Sequence, residues 1–401
     1  MTRDLIVVGG GPAGSACART GAKAGLDVLV IEKQPHPRRK VCAGGFRSGL
    51  VDLLDFELSP AIERISCGAH LYAPSGTKVV CTKDMTTGYT AKRSVLDHFL
   101  LKKAEEAGAE VTSGVEVIDV TESSEAVTVH CSDGTSHAGK YVVGADGVNS
   151  RIARASGIKR QWRDDEIGLC IEAGVPMDQS EILRITHGPY DDDRVCIEIF
   201  FGGLQHGYGW CFPKKDEVSM GLGCLMPFAG GLKAAWARFI QKFEERNGVK
   251  LDLSTQSAMR VPLKGPIKNT ITKRVMLVGD AGGFVSAATG EGIYYAIASG
   301  QMAAQTAADI IHGQASGTHE YQTRWKNTIG RQLDVSNFLA GLLFNSEKNM
   351  ELVIQMAARD DVIRGHMTDL ISGLRPYSEL RNSIMKRVLA KHARTGISLL
   401  R

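Results

Sequence analysis

The chain opens on a short apolar run, Leu5-Ile-Val-Val8, that breaks into Gly9-Gly10-Gly11-Pro12-Ala13-Gly14. An unbroken apolar run bounded by glycine predicts a buried strand, and the proline predicts a helix starting near Pro12. Val28-Leu29-Val30-Ile31 repeats the strand pattern and ends in Glu32. Tyr141-Val-Val-Gly144 and Val275-Met-Leu-Val-Gly279 follow the same grammar much later. Arg93 to Gly108 reads as an amphipathic helix closed by glycine. In Arg194–Phe201 and Val218–Gly223 the pattern is that of strands in a separate sheet. In His206-Gly-Tyr208-Gly-Trp210-Cys-Phe212-Pro213, alternation puts Tyr208, Trp210 and Phe212 on one strand face. Beyond residue 316 the periodicity is helical.

The glycine turn carries the first chemistry. Gly9, Gly11 and Gly14 lack side chains, so phosphates can come close, and N–H groups near Ala13 at the helix start can hold a pyrophosphate. Glu32 stands where a carboxylate accepts both ribose hydroxyls of an adenosine. The competing reading is a cofactorless α/β turn. Two later strand-to-acid turns decide which dinucleotide is meant: Gly144-Ala-Asp146-Gly147 and Gly279-Asp280-Ala-Gly-Gly283. A nicotinamide domain needs neither. A flavin needs an acceptor such as Asp280 for its ribityl hydroxyls and a glycine loop close to its ring. Gly290-Glu291-Gly292-Ile293 supplies that loop and opens a helix, whose positive end stabilises charge at N1 of a reduced flavin. Any one acid-glycine pair alone is more often a β-turn.

Composition sets limits. With 401 residues, the chain is long enough for two domains with their own cores. Its 43% apolar and 23% charged residues are those of an ordinary globular protein. Nine cysteines are scattered, odd in number and without a C-x-x-C, which favours free thiols in a reducing, cytoplasmic setting over disulfides or zinc. The first strand begins at residue 5 and leaves no room for a signal peptide, and no apolar run approaches membrane-spanning length.

The three nucleotide signatures, in this order over about residues 1–310, resemble an FAD-dependent group. That group includes para-hydroxybenzoate hydroxylase-like monooxygenases, flavin halogenases and geranylgeranyl reductases. Tyr208-x-Trp210-x-Phe212-Pro213 looks like the Tyr-x-Trp-x-Phe-Pro motif of the reductases; halogenases carry Trp-x-Trp-x-Ile-Pro instead. Cys42-Ala43-Gly44-Gly45 resembles the reductases' Cys-Gly-Gly segment, with Ala43 as a departure that makes the backbone less permissive. The resemblance implies that the Cys42–Gly44 loop passes the flavin ring. It implies that Arg93 lies near the ribityl or pyrophosphate region, and that the Val117 backbone meets adenine. The expected fold is α/β: a Rossmann-type FAD-binding domain from residues 1–65, 90–160 and 265–315. An inserted antiparallel-sheet substrate domain spans 66–89 and 161–264, and a helical C-terminal region spans 316–401.

The reaction implied is saturation of isolated double bonds in a geranylgeranyl or polyprenyl chain by hydride from reduced FAD, with a proton added at the other carbon. Tyr208, Trp210 and Phe212 then form a flat wall for the chain, and Cys42, Tyr208 and Trp210 are the candidate catalytic residues. The bland alternatives are a packed sheet face and an inert thiol. An aromatic monooxygenase or halogenase, or an electron-transfer subunit, are the other functions to weigh. No second G-x-G-x-x-G follows a strand, so electrons are expected from transiently docked NAD(P)H or from a carrier protein such as ferredoxin. From residue 371 on, Arg375, Arg381, Lys386, Arg387, Lys391, Arg394 and Arg401 face Glu379 alone. Leu380, Ile384 and Val388, with Met385 and Leu389, form a stripe that either rests on the inner face of a membrane or packs on the protein's own helices. Without interleaved aromatics the basic run does not suggest nucleic acid.

Overall fold

The computed structural model describes residues 2–392 and Gly396, so Arg394 and Arg401 of the basic tail lie outside the described residues. The chain forms two compact units. The first comprises residues 1–40, 93–163 and 262–334. Its seven-stranded sheet is centred on Arg3–Val8, which pairs in parallel with Val28–Glu32 on one side and Ser136–Gly144 on the other. Ser136–Gly144 then forks: its first half pairs antiparallel with Val127–Cys131, and its second half pairs in parallel with Val275–Leu277. The parallel strands are covered on both faces, hence their continuous apolar sequence. The helices Pro12–Lys23 and Ile293–Ile311 cross through small residues, since a Cβ on Gly300 would lie 2.2 Å from the Ala13 carbonyl oxygen.

The second unit comprises residues 41–92, 164–261 and 335–401 around a nine-stranded sheet. The boundaries differ from the sequence expectation. Residues 41–65 fall here because Gly45–Arg47 pairs with Gly88–Thr90, which in turn pairs with Arg64–Tyr72. Residues 316–334 belong to the first unit, and the helices after 335 are not a separate region. The sheet is also mixed rather than wholly antiparallel: Val195–Phe201 pairs in parallel with Arg64–Tyr72. The chain between them runs through the first unit, and that long excursion is what a parallel pair requires.

Each face of this sheet builds a core. Val218, Met220 and Leu222 pack with Trp236, Ile240 and Phe243 of the Leu232–Asn247 helix. On the opposite face, Ala69, Leu71, Ile199, Phe201 and Tyr208 pack with Phe344, Ile354, Met367 and Val388 of the C-terminal helices. This answers the amphipathic stripe. Leu380 and Val388 are buried in the protein's own core and Ile384 packs against it, while Leu389 is 68% exposed.

Asp360 docks the last helix, Tyr377–Lys391. Its carboxylate accepts from the Val362 and Ile363 N–H groups at the start of Asp361–Ser372 and from Arg387 at 2.8 and 3.0 Å; His392 Nε2 lies 2.9 Å away. The Arg387 guanidinium holds the Asp360 carboxyl below the usual carboxylate range. A depressed folded pKa gives stability that is full above the ordinary value of 3.8 and lost as pH falls through the folded value. Asp360→Ala is expected to cost about 2 kcal/mol at neutral pH, from a lost helix cap and a partly exposed ion pair. Urea titration checks this, and the gap between variant and parent should narrow as pH falls below 3.8 and close only as it passes through the folded value.

Candidate functional site

In the first unit, the glycine turn is set by close backbone approach. A Cβ on Gly14 would lie 1.8 Å from the Gly9 carbonyl oxygen, and one on Gly9, at φ +106°, would lie 2.5 Å from the Ala145 carbonyl oxygen. Gly11 ends the turn, Pro12 is the first helical residue, and no side chain caps the helix. Its first turn therefore presents uncapped backbone around Ala13 and Gly14. Glu32 is buried. One of its oxygens accepts from Gly10 N–H at 2.6 Å and the other from Gln34 N–H at 3.0 Å.

Beside this turn lies a charge cluster. Arg93 opens its helix and makes a bidentate pair with Asp97 at 2.7 and 2.8 Å. Arg38 bridges Asp97 at 3.3 Å and Glu32 at 3.5 Å, and its Nη2 reaches within 3.8 Å of where a Cβ on Gly11 would stand. Arg38 thus brings a cation to the phosphate turn, although in the sequence it is one of three consecutive basic residues, Arg38-Arg39-Lys40, with nothing local to single it out. Asp146 is differently employed. It accepts from the Ser150 hydroxyl and from the Arg151 and Ile152 N–H groups, capping the short Arg151–Ala155 helix. Val117 starts its strand and is buried in the sheet core.

Asp280 follows the Val275–Leu277 strand on a tight turn that ends at Gly283, φ +81°. A Cβ on Gly292 would sit 3.5 Å from the Asp280 carboxylate, so the loop through Gly290 and Gly292 comes right up to that acid. Gly292 leads without a capping side chain into Ile293–Ile311, a helix of 19 residues. These features fit a flavin dinucleotide: a side-chain-free cradle, an acid at the ribose distance, a second acid under a glycine loop, and an uncapped long-helix start.

The second unit holds the other half of the candidate residues. Tyr208, Trp210 and Phe212 share a strand face opposite Gly223, Gly221 and Ser219 of Glu217–Leu225. Two of the rings lie directly over glycines. A Cβ on Gly221 would fall 1.9 Å from the Trp210 ring, and one on Gly45 would fall 2.4 Å from the Phe212 ring. Tyr208 lies 6.0 Å from Trp210 and stacks on Phe344 at 5.9 Å, centroid to centroid. The buried Trp210 indole N–H has no acceptor among the described residues.

The Cys42–Gly45 loop is pinned to this face. Gly44, at φ +75°, bonds through its carbonyl to Ala91 N–H at 2.8 Å and donates its N–H to Cys42 Sγ at 3.4 Å. Ala43 is not in the left-handed region, which falls on Gly44, so the departure at 43 carries no backbone strain. Cys42 is half-exposed and lies within electrostatic reach of Tyr208. Burial pushes the Tyr208 phenol up, which makes it a weaker acid. Lys214, one residue past the aromatic motif, is buried and donates to the Ala43 carbonyl at 3.3 Å. Burial in a folded sheet, not spacing, singles out this lysine, so no local pattern marks it.

Residues 2–181 match the family model of the FAD binding domain. The chain is 30% identical over 96% of its length to the digeranylgeranylglycerophospholipid reductase of Methanothrix thermoacetophila, covering all of that protein. It is 32% identical to the reductase of the same name from Methanocaldococcus jannaschii, over 80% of this chain and 82% of the relative. Among solved structures, a geranylgeranyl bacteriochlorophyll reductase-like protein from Thermoplasma acidophilum shares the fold with a TM-score of 0.81 at 24% identity, over 99% and 98% of the two chains. The flavin-dependent brominase Bmp2 shares it at 0.73 and 20% identity, over 98% and 100%. The likeness to both structures is one of fold, whereas identity along nearly the whole chain with a reductase carries more. This chain is a member of the digeranylgeranylglycerophospholipid reductase family of FAD-dependent oxidoreductases.

Proposed function

We propose that this protein uses reduced FAD to saturate isolated double bonds in geranylgeranyl chains carried on a glycerophospholipid. The observation that carries this reading is the glycine-floored wall of Tyr208, Trp210 and Phe212, joined to the pinned Cys42 loop. When bound, FAD supplies the hydride for one alkene carbon; Gly9, Gly11, Gly14, Glu32, Arg38, Asp280 and the Gly290–Ile293 loop would hold it. A flat apolar wall suits a polyprenyl chain, which offers no polar handle and binds by surface burial. At about 0.8 kcal/mol per buried carbon, one five-carbon unit gains roughly 4 kcal/mol. The same wall excludes water from the reacting carbons. Cys42 Sγ, on the loop pinned beside the wall, supplies the proton for the second carbon, since burial makes the Tyr208 phenol a weaker acid.

Two partners belong to this reading. Reducing equivalents come from docked NAD(P)H or from a ferredoxin-type carrier. The lipid is met at a membrane surface, where exposed Leu389, Lys386 and Lys391 offer one apolar and two cationic contacts. No described helix is long and apolar enough to cross a membrane.

The test is anaerobic. The flavoprotein is reduced with dithionite, mixed with a geranylgeranylated phospholipid, and followed by flavin absorbance and product mass together. Reoxidation with mass rising in two-hydrogen steps is expected. A flavin that stays reduced with every prenyl lipid, and reoxidises only when oxygen enters, would sink the proposal in favour of a monooxygenase or electron-transfer role.

A further inference from the structure

We propose that Lys214 is a positioning residue for Cys42: its buried ammonium anchors the Cys42 loop through the Ala43 carbonyl and places a cation in that loop. The inference rests on the alkene-reductase reading above. Four observations support it. Lys214 is 3% exposed, a burial that lysines rarely reach without a task or a close partner. Its ammonium donates to the carbonyl of Ala43, the residue next to Cys42, and its stem passes 3.6 Å from where a Cβ on Gly44 would stand. Cys42 is within its electrostatic reach. Its backbone is fixed from outside, because Arg64 donates to the Lys214 carbonyl at 3.2 Å and the Thr90 hydroxyl to the Pro213 carbonyl at 2.6 Å. A side chain held from both ends cannot follow the loop; the loop must follow it.

The chemistry balances simply. The alkene takes a hydride at one carbon, with both electrons coming from reduced FAD, and a proton at the other. The Cys42 S–H bond breaks, the new C–H bond forms, and the S–H electron pair stays on sulfur as a thiolate. The Gly44 N–H already donates to that sulfur, and the Lys214 ammonium sits one residue away on the Ala43 carbonyl. Burial lowers the Lys214 pKa, against the pull of Glu217, Glu172 and Glu63, so it returns a proton to the thiolate more readily than an exposed lysine would. Glu217, 3.8 Å from Lys214 and 27% exposed, links the ammonium to solvent for reloading. The charged groups facing Lys214 are thus Glu217 from the next strand, Glu172 from Ile167–Pro176, Glu63 ahead of Arg64, and the Cys42 loop itself.

The test reads Cys42 directly. Iodoacetamide labelling across about pH 6–9, resolved by peptide mass spectrometry, separates Cys42 from the buried thiols and from half-exposed Cys170. In Lys214→Met the labelling midpoint should rise by about one pH unit, which slows Cys42 alkylation about tenfold near neutrality. Lys214→Arg keeps the charge and should stay within about threefold of the parent. With lipid, kcat of Lys214→Met should fall with KM unchanged, its pH profile moving with the labelling midpoint. An unmoved labelling profile overturns the proposal, and so does a moved profile with unchanged kcat. Where Lys214→Met does not fold, Glu217→Gln answers: losing that counter-charge should speed Cys42 labelling, and no change again overturns the idea. Labelling needs no lipid, so a lipid that is not reduced counts against the reductase reading and leaves the Lys214 result standing.

Discussion

Gly14→Val is expected to yield a folded protein that purifies without its yellow colour. The turn from Val8 into the Pro12–Lys23 helix works only because position 14 has no side chain: a Cβ there would lie 1.8 Å from the Gly9 carbonyl oxygen and 3.2 Å from the Ala145 side chain. Valine must push the turn open, which moves the uncapped helix start away from the line on which a pyrophosphate meets it. Glu32 goes with it, because its carboxylate is tied to Gly10 N–H. Phosphate and ribose contacts are thus lost together, and FAD affinity should drop by about a thousandfold or more, near 4 kcal/mol. The absorbance ratio at 450 and 280 nm reads occupancy, and quenching of flavin fluorescence reads affinity. Circular dichroism guards against simple unfolding, and Gly14→Ala should fall between valine and the parent. A valine variant with a full flavin complement would show that the pyrophosphate is held elsewhere.

This turn was legible in the sequence because everything it needs is local. A strand, three glycines, a helix and an acid lie within about thirty residues, and each is recognisable by its own pattern. The turn carrying Asp280 and the glycine loop that opens the Ile293–Ile311 helix were legible as local structure for the same reason. Legibility fails where a side chain's partner is set by tertiary packing. Asp146 has the acid-glycine spelling, and the spelling does not announce that its oxygens accept from the N–H groups opening the Arg151–Ala155 helix. Arg38 and Lys214 look like ordinary surface cations until the fold pairs Arg38 with Glu32 and Asp97 and buries Lys214 against the Ala43 carbonyl. The parallel pairing of Val195–Phe201 with Arg64–Tyr72 joins strands more than a hundred residues apart, which no local signal announces. The basic tail fails in the opposite sense. Its stripe was read correctly as apolar, but the same stripe serves a bilayer or a core equally well, and Leu380 and Val388 went to the core.

Gly221→Ala is expected to do the reverse of the change at Gly14: flavin retained, lipid turnover lost. Gly221 lies under the Trp210 ring, where an added Cβ would meet ring carbons at 1.9 to 2.6 Å. Trp210 is 8% exposed and flanked by Tyr208 at 6.0 Å, so the indole cannot slide sideways and must tilt up from the sheet. A tilted ring occupies the face on which a prenyl chain would lie. Overpacking of this kind costs about 1–3 kcal/mol of stability. The larger effect falls on kcat/KM for the prenyl lipid, expected to drop by about a hundredfold, near 2.7 kcal/mol, while flavin absorbance per chain stays at the parent's value. Adding Trp210→Leu makes room again. The double variant should regain most of the lost stability, and the two changes should couple strongly, as residues in direct contact do. Turnover should stay low, because the flat wall is gone. Strict additivity in stability, or a single variant with the parent's turnover, would mean that the chain does not use this face. The pair of glycine substitutions thereby separates holding the cofactor from holding the substrate, each by one side chain placed where the fold has room for none.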